Sequence, residues 1–227
     1  MAAFRMAAEA GADMLEFDVR LTRDGELVVH HDRRLGRTSD GTGRVHELTL
    51  DQIRRYDAGA WFARRFRGET IPTLREVMDA FPDSPRLNIE VKTDGNTRNR
   101  TAFIDALSRL LAASGRAPSL IVSSFDHVFL RRLHRRIPRL GIGALYLPVR
   151  DTLRSPVSVA RKAGATVFIC SRAQLRRRHV RAAHARNIAV ATYGVNTPAH
   201  LAAMIHAGVD AVITDFPERI VRALRGA

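Results

Sequence analysis

Arg86-Leu87-Asn88-Ile89-Glu90-Val91-Lys92 reads as a strand, residues 98–113 as a helix, and Leu120-Ile121-Val122-Ser123-Ser124 as a second strand. The second opens on a continuous apolar run, Leu-Ile-Val, the pattern of a parallel strand buried on both faces. Parallel neighbours need a crossover connection, and the intervening helix supplies it, so this stretch is one βαβ unit.

Working outward, the same alternation repeats. Strands are expected at Leu140–Leu147, Thr166–Ser171, Ile188–Tyr193 and Ala211–Thr214, with helices near 127–136, 151–163, 173–185 and 197–206 and a last one after Pro217. Upstream, Thr73–Phe81 reads as a helix. Residues 32–70 are less regular, with a loop at Thr38–Gly43 and a short helix over Thr49–Tyr56 capped by Thr49. Met14–Leu21 and Glu26–His31 are strands joined through Asp24-Gly25, a strong hairpin signal. Ala2–Ala10 reads as a helix stopped by Gly11. Without the hairpin's return strand there are seven repeating strands. A (β/α)8 barrel needs eight and opens on a strand, whereas this chain opens on a helix. The expected fold is therefore α/β: a (β/α)8 TIM barrel lacking its first strand, all in one domain spanning 1–227. An open doubly wound sheet is disfavoured, because no Gly-x-Gly-x-x-Gly turn follows any strand.

Composition narrows the class. The 227 residues suffice for one sizeable core, and 45% apolar with 26% charged residues excludes disordered, collagen-like and disulfide-scaffold chains. One cysteine forms no internal bridge, and no apolar run approaches a membrane span. The first ten residues are helical and include Glu9, unlike a secretory leader, so a cytoplasmic protein is expected unless a leader lies upstream of a misassigned start. The net charge is +14, and all cations but Lys92 and Lys162 are arginines. Clusters at Arg131–Arg139 and Arg176–Arg186 fit either an anion-binding surface or a genome that writes arginine for every exposed cation; the second reading is preferred. Both clusters fall on expected outer helices with few aromatics, so no specific nucleic-acid partner is expected.

The chemistry lies at strand ends, where parallel barrels place their catalytic groups. Glu16 and Asp18 are two residues apart in one strand, and Glu90 and Lys92 two apart in the next, so each pair shares one side of its strand. Charged groups in buried runs are costly unless paired or bound to metal. Each alone reads as an internal ion pair with arginine. The repeated spacing on neighbouring strands favours a site, and three converging carboxylates suit a hard cation, Mg²⁺ or Ca²⁺. His31 ends the hairpin and is a candidate general acid or base, with Asp32 placed to orient its ring. His30 should point to the opposite side and be structural.

The run Gly11–Asp32 resembles the signature of the glycerophosphodiester phosphodiesterase family. So do Leu35–Gly43, Ile71-Pro72-Thr73-Leu74, Leu87–Lys92, Ser123-Ser124-Phe125 and Gly208–Pro217, in the family's order over essentially the whole chain. The resemblance implies a (β/α)8 barrel with a small insertion at about residues 32–70, after the hairpin's second strand, and cation-assisted hydrolysis of small-molecule glycerophosphodiesters to glycerol 3-phosphate and an alcohol, within lipid and glycerol metabolism. It implies Glu16, Asp18 and Glu90 as metal ligands, His31 as a catalytic histidine, and Lys92 facing the substrate phosphate. Tyr193 stands where the family has a pocket-lining aromatic, usually tryptophan. A complete chain is expected to be monomeric.

The family pattern opens with a strand ending in His-Arg-Gly and a loop ending in Pro-Glu-Asn-Thr, and neither stands in this chain. That histidine would be the other half of the acid–base pair, so the chain as it stands is expected to be impaired. A start assigned to an internal methionine is the preferred explanation, because the other site residues match so fully; a truncated pseudo-enzyme or a basic, non-catalytic binding protein is the alternative. The two strands flanking the gap, Met14–Leu21 and Ala211–Thr214, are expected to face each other with unpaired edges.

Overall fold

The computed structural model describes residues 1–151 and 153–226. Eight strands form one sheet: β1 (Met14–Leu21), β2 (Leu27–Val29), β3 (Arg86–Val91), β4 (Leu120–Ser124), β5 (Gly141–Leu145), β6 (Val167–Ser171), β7 (Ala189–Tyr193) and β8 (Ala211–Ile213). Their spatial order is β2-β1-β3-β4-β5-β6-β7-β8; β1–β2 is antiparallel and every other pairing is parallel. Among the described residues ten α-helices accompany them: α1 (Ala2–Glu9), α2 (Leu50–Ile53), α3 (Leu74–Ala80), α4 (Thr97–Ser114), α5 (His127–Arg136), α6 (Pro148–Asp151), α7 (Pro156–Ala163), α8 (Arg177–His184), α9 (Pro198–Ala207) and α10 (Pro217–Leu224). The sheet curls into an open half-barrel.

Strand parity sets the layers. Leu15, Phe17 and Val19 of β1, Leu87, Ile89 and Val91 of β3, and Val122, Ile142, Phe168 and Val190 further along pack outward against the helices in the main core. The alternate residues point inward, where Leu145, Ile169 and Ala191 form a small inner cluster with Phe125, Tyr193 and Ile213. Glycine is needed at position 143 of this inner column: a Cβ there would stand 2.8 Å from Ile169 Cδ1 and 3.0 Å from Ser123 Cβ. The irregular segment after the hairpin has its own core of Val28, Leu35, Val45, Ile53 and Ile71. Burying each such side chain is worth roughly 1.5–3 kcal/mol, enough to pin this segment over the end of β2.

Local signals explain the element ends. The hairpin closes where Glu26 N donates to Thr22 Oγ1 and Gly25 takes φ 86°. Thr49 and Thr73 each make a reciprocal capping box, with Gln52 and Glu76. One expected helix is corrected: 151–163 is broken into α6 and α7, because Pro156 lacks the N–H that would continue it and Ser155 caps a fresh start by accepting from Ser158 N. The helix expected over 173–185 begins only at Arg177, since Gln174 N turns back to Ser171 O.

The flanking strands also need correction. No ladder joins β1 to β8, as expected, but β1 is not bare along its whole outer edge. Val19, Arg20 and Leu21 pair with Val29, Val28 and Leu27, so the return strand covers the C-terminal end of that edge. Near this edge Gly11, after α1, lies beside Val221 of α10 and Arg225 just past its end.

Candidate active site

Glu16 and Asp18 face inward because the residues between and around them, Leu15, Phe17 and Val19, are committed to the outer core. The parallel register sets Asp18 level with Glu90 and Glu16 level with Asn88. Oxygens of the Glu16, Asp18 and Glu90 carboxylates all lie within 4.8 Å of one another. Lys92, just past β3, reaches into this group: Nζ is 2.9 Å from Asp18 Oδ1 and also bonds Glu90 Oε1. The same ammonium stands 5.7 Å from the Phe125 ring centre. Beneath the carboxylates, Ser123 Oγ donates to Asn88 Oδ1 at 2.9 Å, so these two buried polar groups satisfy each other.

The charge does not balance. Three carboxylates share one ammonium in a largely buried setting. Burial first, then the neighbouring Asp18 and Glu90, pushes the Glu16 carboxyl up to about 8. Burial likewise raises Glu90, against the pull of Lys92. Lys92 is held charged: burial works against its ammonium, but Glu90 and Asp18 together outweigh it and raise its pKa. A cluster of oxygen donors this crowded and this short of positive charge fits a hard divalent cation.

His31 lies on the same rim. Its neighbour His30 donates its backbone N–H to Asp18 O at 3.0 Å, continuing the β1–β2 register to the level of the carboxylates. The His31 ring is 59% exposed, with Nδ1 2.7 Å from Asp32 Oδ1. Arg37 grips the same carboxylate, Nε to Oδ2 at 2.6 Å, and with His31 holds Asp32 well below the ordinary carboxylate range. His30 is buried, with Nε2 3.2 Å from Arg34 O, which fits the structural role expected of it. Tyr193, at the end of β7, is close enough to Glu90 and Lys92 for both to act on its hydroxyl; burial is the main cause of its raised pKa. Asp215, after β8, accepts from Asn196 Nδ2 at 2.8 Å and also raises Glu16 slightly, after burial and the nearer acids.

The sequence reading missed Arg20. Its guanidinium donates twice to His31 O, from Nε at 2.9 Å and Nη2 at 2.8 Å, and once to Lys92 O at 3.4 Å. One side chain thus ties the backbone of the histidine to that of the lysine. The signal was present, since Arg20 continues the two-residue spacing of Glu16 and Asp18.

A parallel β/α half-barrel with carboxylates, a lysine and a carboxylate-oriented histidine at its strand ends defines a β/α-barrel enzyme, with a site able to hold a divalent cation beside an anionic substrate. Comparison with known proteins makes this specific. The profile of the glycerophosphoryl diester phosphodiesterase family matches residues 1–219, and the chain belongs to that family. A glycerophosphodiester phosphodiesterase of Caldanaerobacter subterraneus subsp. tengcongensis is 35% identical over 226 residues, covering 99% of this chain and 91% of that protein. Among solved structures, the glycerophosphodiester phosphodiesterase of Agrobacterium tumefaciens superposes with TM-score 0.83 at 27% identity, covering 97% of this chain and 91% of that one. A phosphodiesterase of Oleispira antarctica, in complex with the product sn-glycerol-3-phosphate, gives TM-score 0.86 at 25% identity over 99% of this chain and 90% of that one.

Proposed function

We propose that this protein hydrolyses glycerophosphodiesters to glycerol 3-phosphate and an alcohol, using a divalent cation, Mg²⁺ or Ca²⁺, held by Glu16, Asp18 and Glu90. The observation that carries this reading is the carboxylate cluster itself, three acids within 4.8 Å of one another against one ammonium. A cation bound there would neutralise charge on the phosphate oxygens and favour in-line displacement.

The remaining work falls to side chains of the chain. His31 is the proton carrier: with Nδ1 engaged by Asp32, Nε2 is the nitrogen left to take a proton from the attacking hydroxyl or give one to the leaving oxygen. Lys92 pairs with the substrate phosphate. Tyr193 lines the pocket against the glycerol or alcohol portion. Arg20 holds His31 and Lys92 at a fixed separation. The lone cysteine, Cys170, is buried and its thiol is pushed up to about 12 by that burial, which supports an inert structural thiol.

The test is release of glycerol 3-phosphate from glycerophosphocholine, measured with Mg²⁺ or Ca²⁺ and again after chelation. Cation-dependent release that chelator abolishes is expected. Release that resists chelator would overturn the cation assignment, and no release under any condition would overturn the activity.

A further inference from the structure

The net charge of +14 is confined to one part of the molecule. Residues 127–209 hold fifteen arginines and lysines against a single acid, Asp151, while the rest of the chain carries twenty-two of each sign. Asp151 is buried and already bonded to Arg150 and Arg154. The other cations of this stretch have no carboxylate partner among the described residues. They are also assembled by the fold. Helices α5, α7 and α8 pack side by side on the outside of β4–β7, α5 against α7 and α7 against α8. Every arginine of α5 is exposed, as are Arg161 and Lys162 of α7 and every arginine of α8. On α5 and on α8 the arginines recur at i, i+1 and i+4, which keeps them on one solvent face. The face ends where acids return, at Asp105 on α4, at Asp210, whose Oδ2 is 2.8 Å from His184 Nε2 at the end of α8, and at Glu218 on α10.

We propose that the outer face of α5, α7 and α8 is a docking surface for an anionic lipid bilayer. A broad layer of three adjacent helices, charged with one sign and free of acids, complements a flat negative surface, and polybasic faces bind such surfaces by summed attraction that salt weakens. Single-stranded nucleic acid fits less well. Its binders offer aromatic platforms, and the aromatics of these helices are confined to Phe129, which is fully buried. The surface is made of helices rather than of the loops at the strands' C-terminal ends. Docking there leaves the carboxylate mouth open, so the proposal stands apart from the hydrolytic activity.

The test is co-sedimentation of the full chain with vesicles of phosphatidylcholine alone and of phosphatidylcholine mixed with phosphatidylglycerol. Two four-site variants accompany it, equal in charge change. One reverses the face (Arg132→Glu, Arg135→Glu, Arg178→Glu, Arg181→Glu); the other reverses exposed arginines elsewhere (Arg75→Glu, Arg86→Glu, Arg98→Glu, Arg109→Glu). Binding to the anionic vesicles alone is expected, weakening as salt rises and falling at least tenfold in the face variant with little change in the other. Circular dichroism confirms that each variant is folded. Equal loss in the two variants, or no binding by the native chain, would overturn the proposal. Tighter binding to duplex DNA or RNA than to anionic vesicles at matched salt would overturn it in favour of a nucleic-acid surface.

Discussion

Three side chains decide what His31 can do. Asp32 fixes its ring through Nδ1, Arg37 fixes Asp32, and Arg20 fixes the backbone carbonyl of His31 itself. Replacing His31 by Ala is expected to lower the rate by ~10²–10⁴-fold, the usual contribution of a positioned acid or base, with glycerol 3-phosphate release as the measurement. A loss below about threefold would remove His31 from the mechanism. Arg20 acts differently, since it touches no reacting atom in this account. Arg20→Ala should lower kcat more than it raises KM, by allowing His31 and Lys92 to drift apart. Arg20→Lys should not restore the rate, because one ammonium cannot span the two carbonyls that the planar fork reaches. An unchanged kcat in Arg20→Ala would show the fork to be incidental.

Between elements, Asp126 is the knot. It caps α5 by accepting from Phe129 N, receives Thr93 Oγ1 at 2.7 Å from the segment after β3, and pairs with Arg100 Nε of α4 at 2.6 Å. Burial alone would raise its pKa, but the bonds from Arg100, Thr93 and Phe129 together lower it below the ordinary value. A carboxyl depressed in the folded state contributes stability that is fully present above its unfolded value near 3.8 and is lost as pH falls through the folded value. Asp126→Asn should therefore cost about 1.5–3 kcal/mol at neutral pH, the scale of a charge-assisted hydrogen bond, and the cost should shrink below about pH 4. Urea unfolding of both forms at several pH values measures it; a cost independent of pH would contradict the assignment. Much at this scale was legible in the sequence, because it rests on local signals. The βαβ periodicity, the Asp24-Gly25 turn and the threonine cap at 49 all act within a few residues. The break before α7 was written in Pro156 and overridden by the apolar periodicity around it. What periodicity cannot carry is contact between distant segments. The pairing of Lys92 with Asp18 and the reach of Arg20 to the end of the hairpin depend on how the strands lie side by side. Strand parity alone brought Glu16, Asp18 and Glu90 to one side, and the parallel register then made them neighbours.

For the molecule as a whole, the carboxylate cluster is a cost of folding that a bound cation would remove. Glu16 sits in a site that disfavours its charge, with Asp18 and Glu90 close by. Thermal unfolding with and without Mg²⁺ or Ca²⁺ tests the central claim directly, comparing the native chain with the variant Glu16→Gln, Asp18→Asn, Glu90→Gln. A ligand at 100 times its Kd stabilises the folded state by about 2.7 kcal/mol, and each kcal/mol moves Tm by about 2–4 °C in a chain of this size, so a rise of roughly 5–10 °C is expected for the native protein. The neutralised variant leaves Lys92 without the charges of Asp18 and Glu90, so its starting midpoint is its own reference, and that midpoint should not respond to cation. A native Tm indifferent to Mg²⁺ and Ca²⁺, or an equal rise in both proteins, would contradict the account.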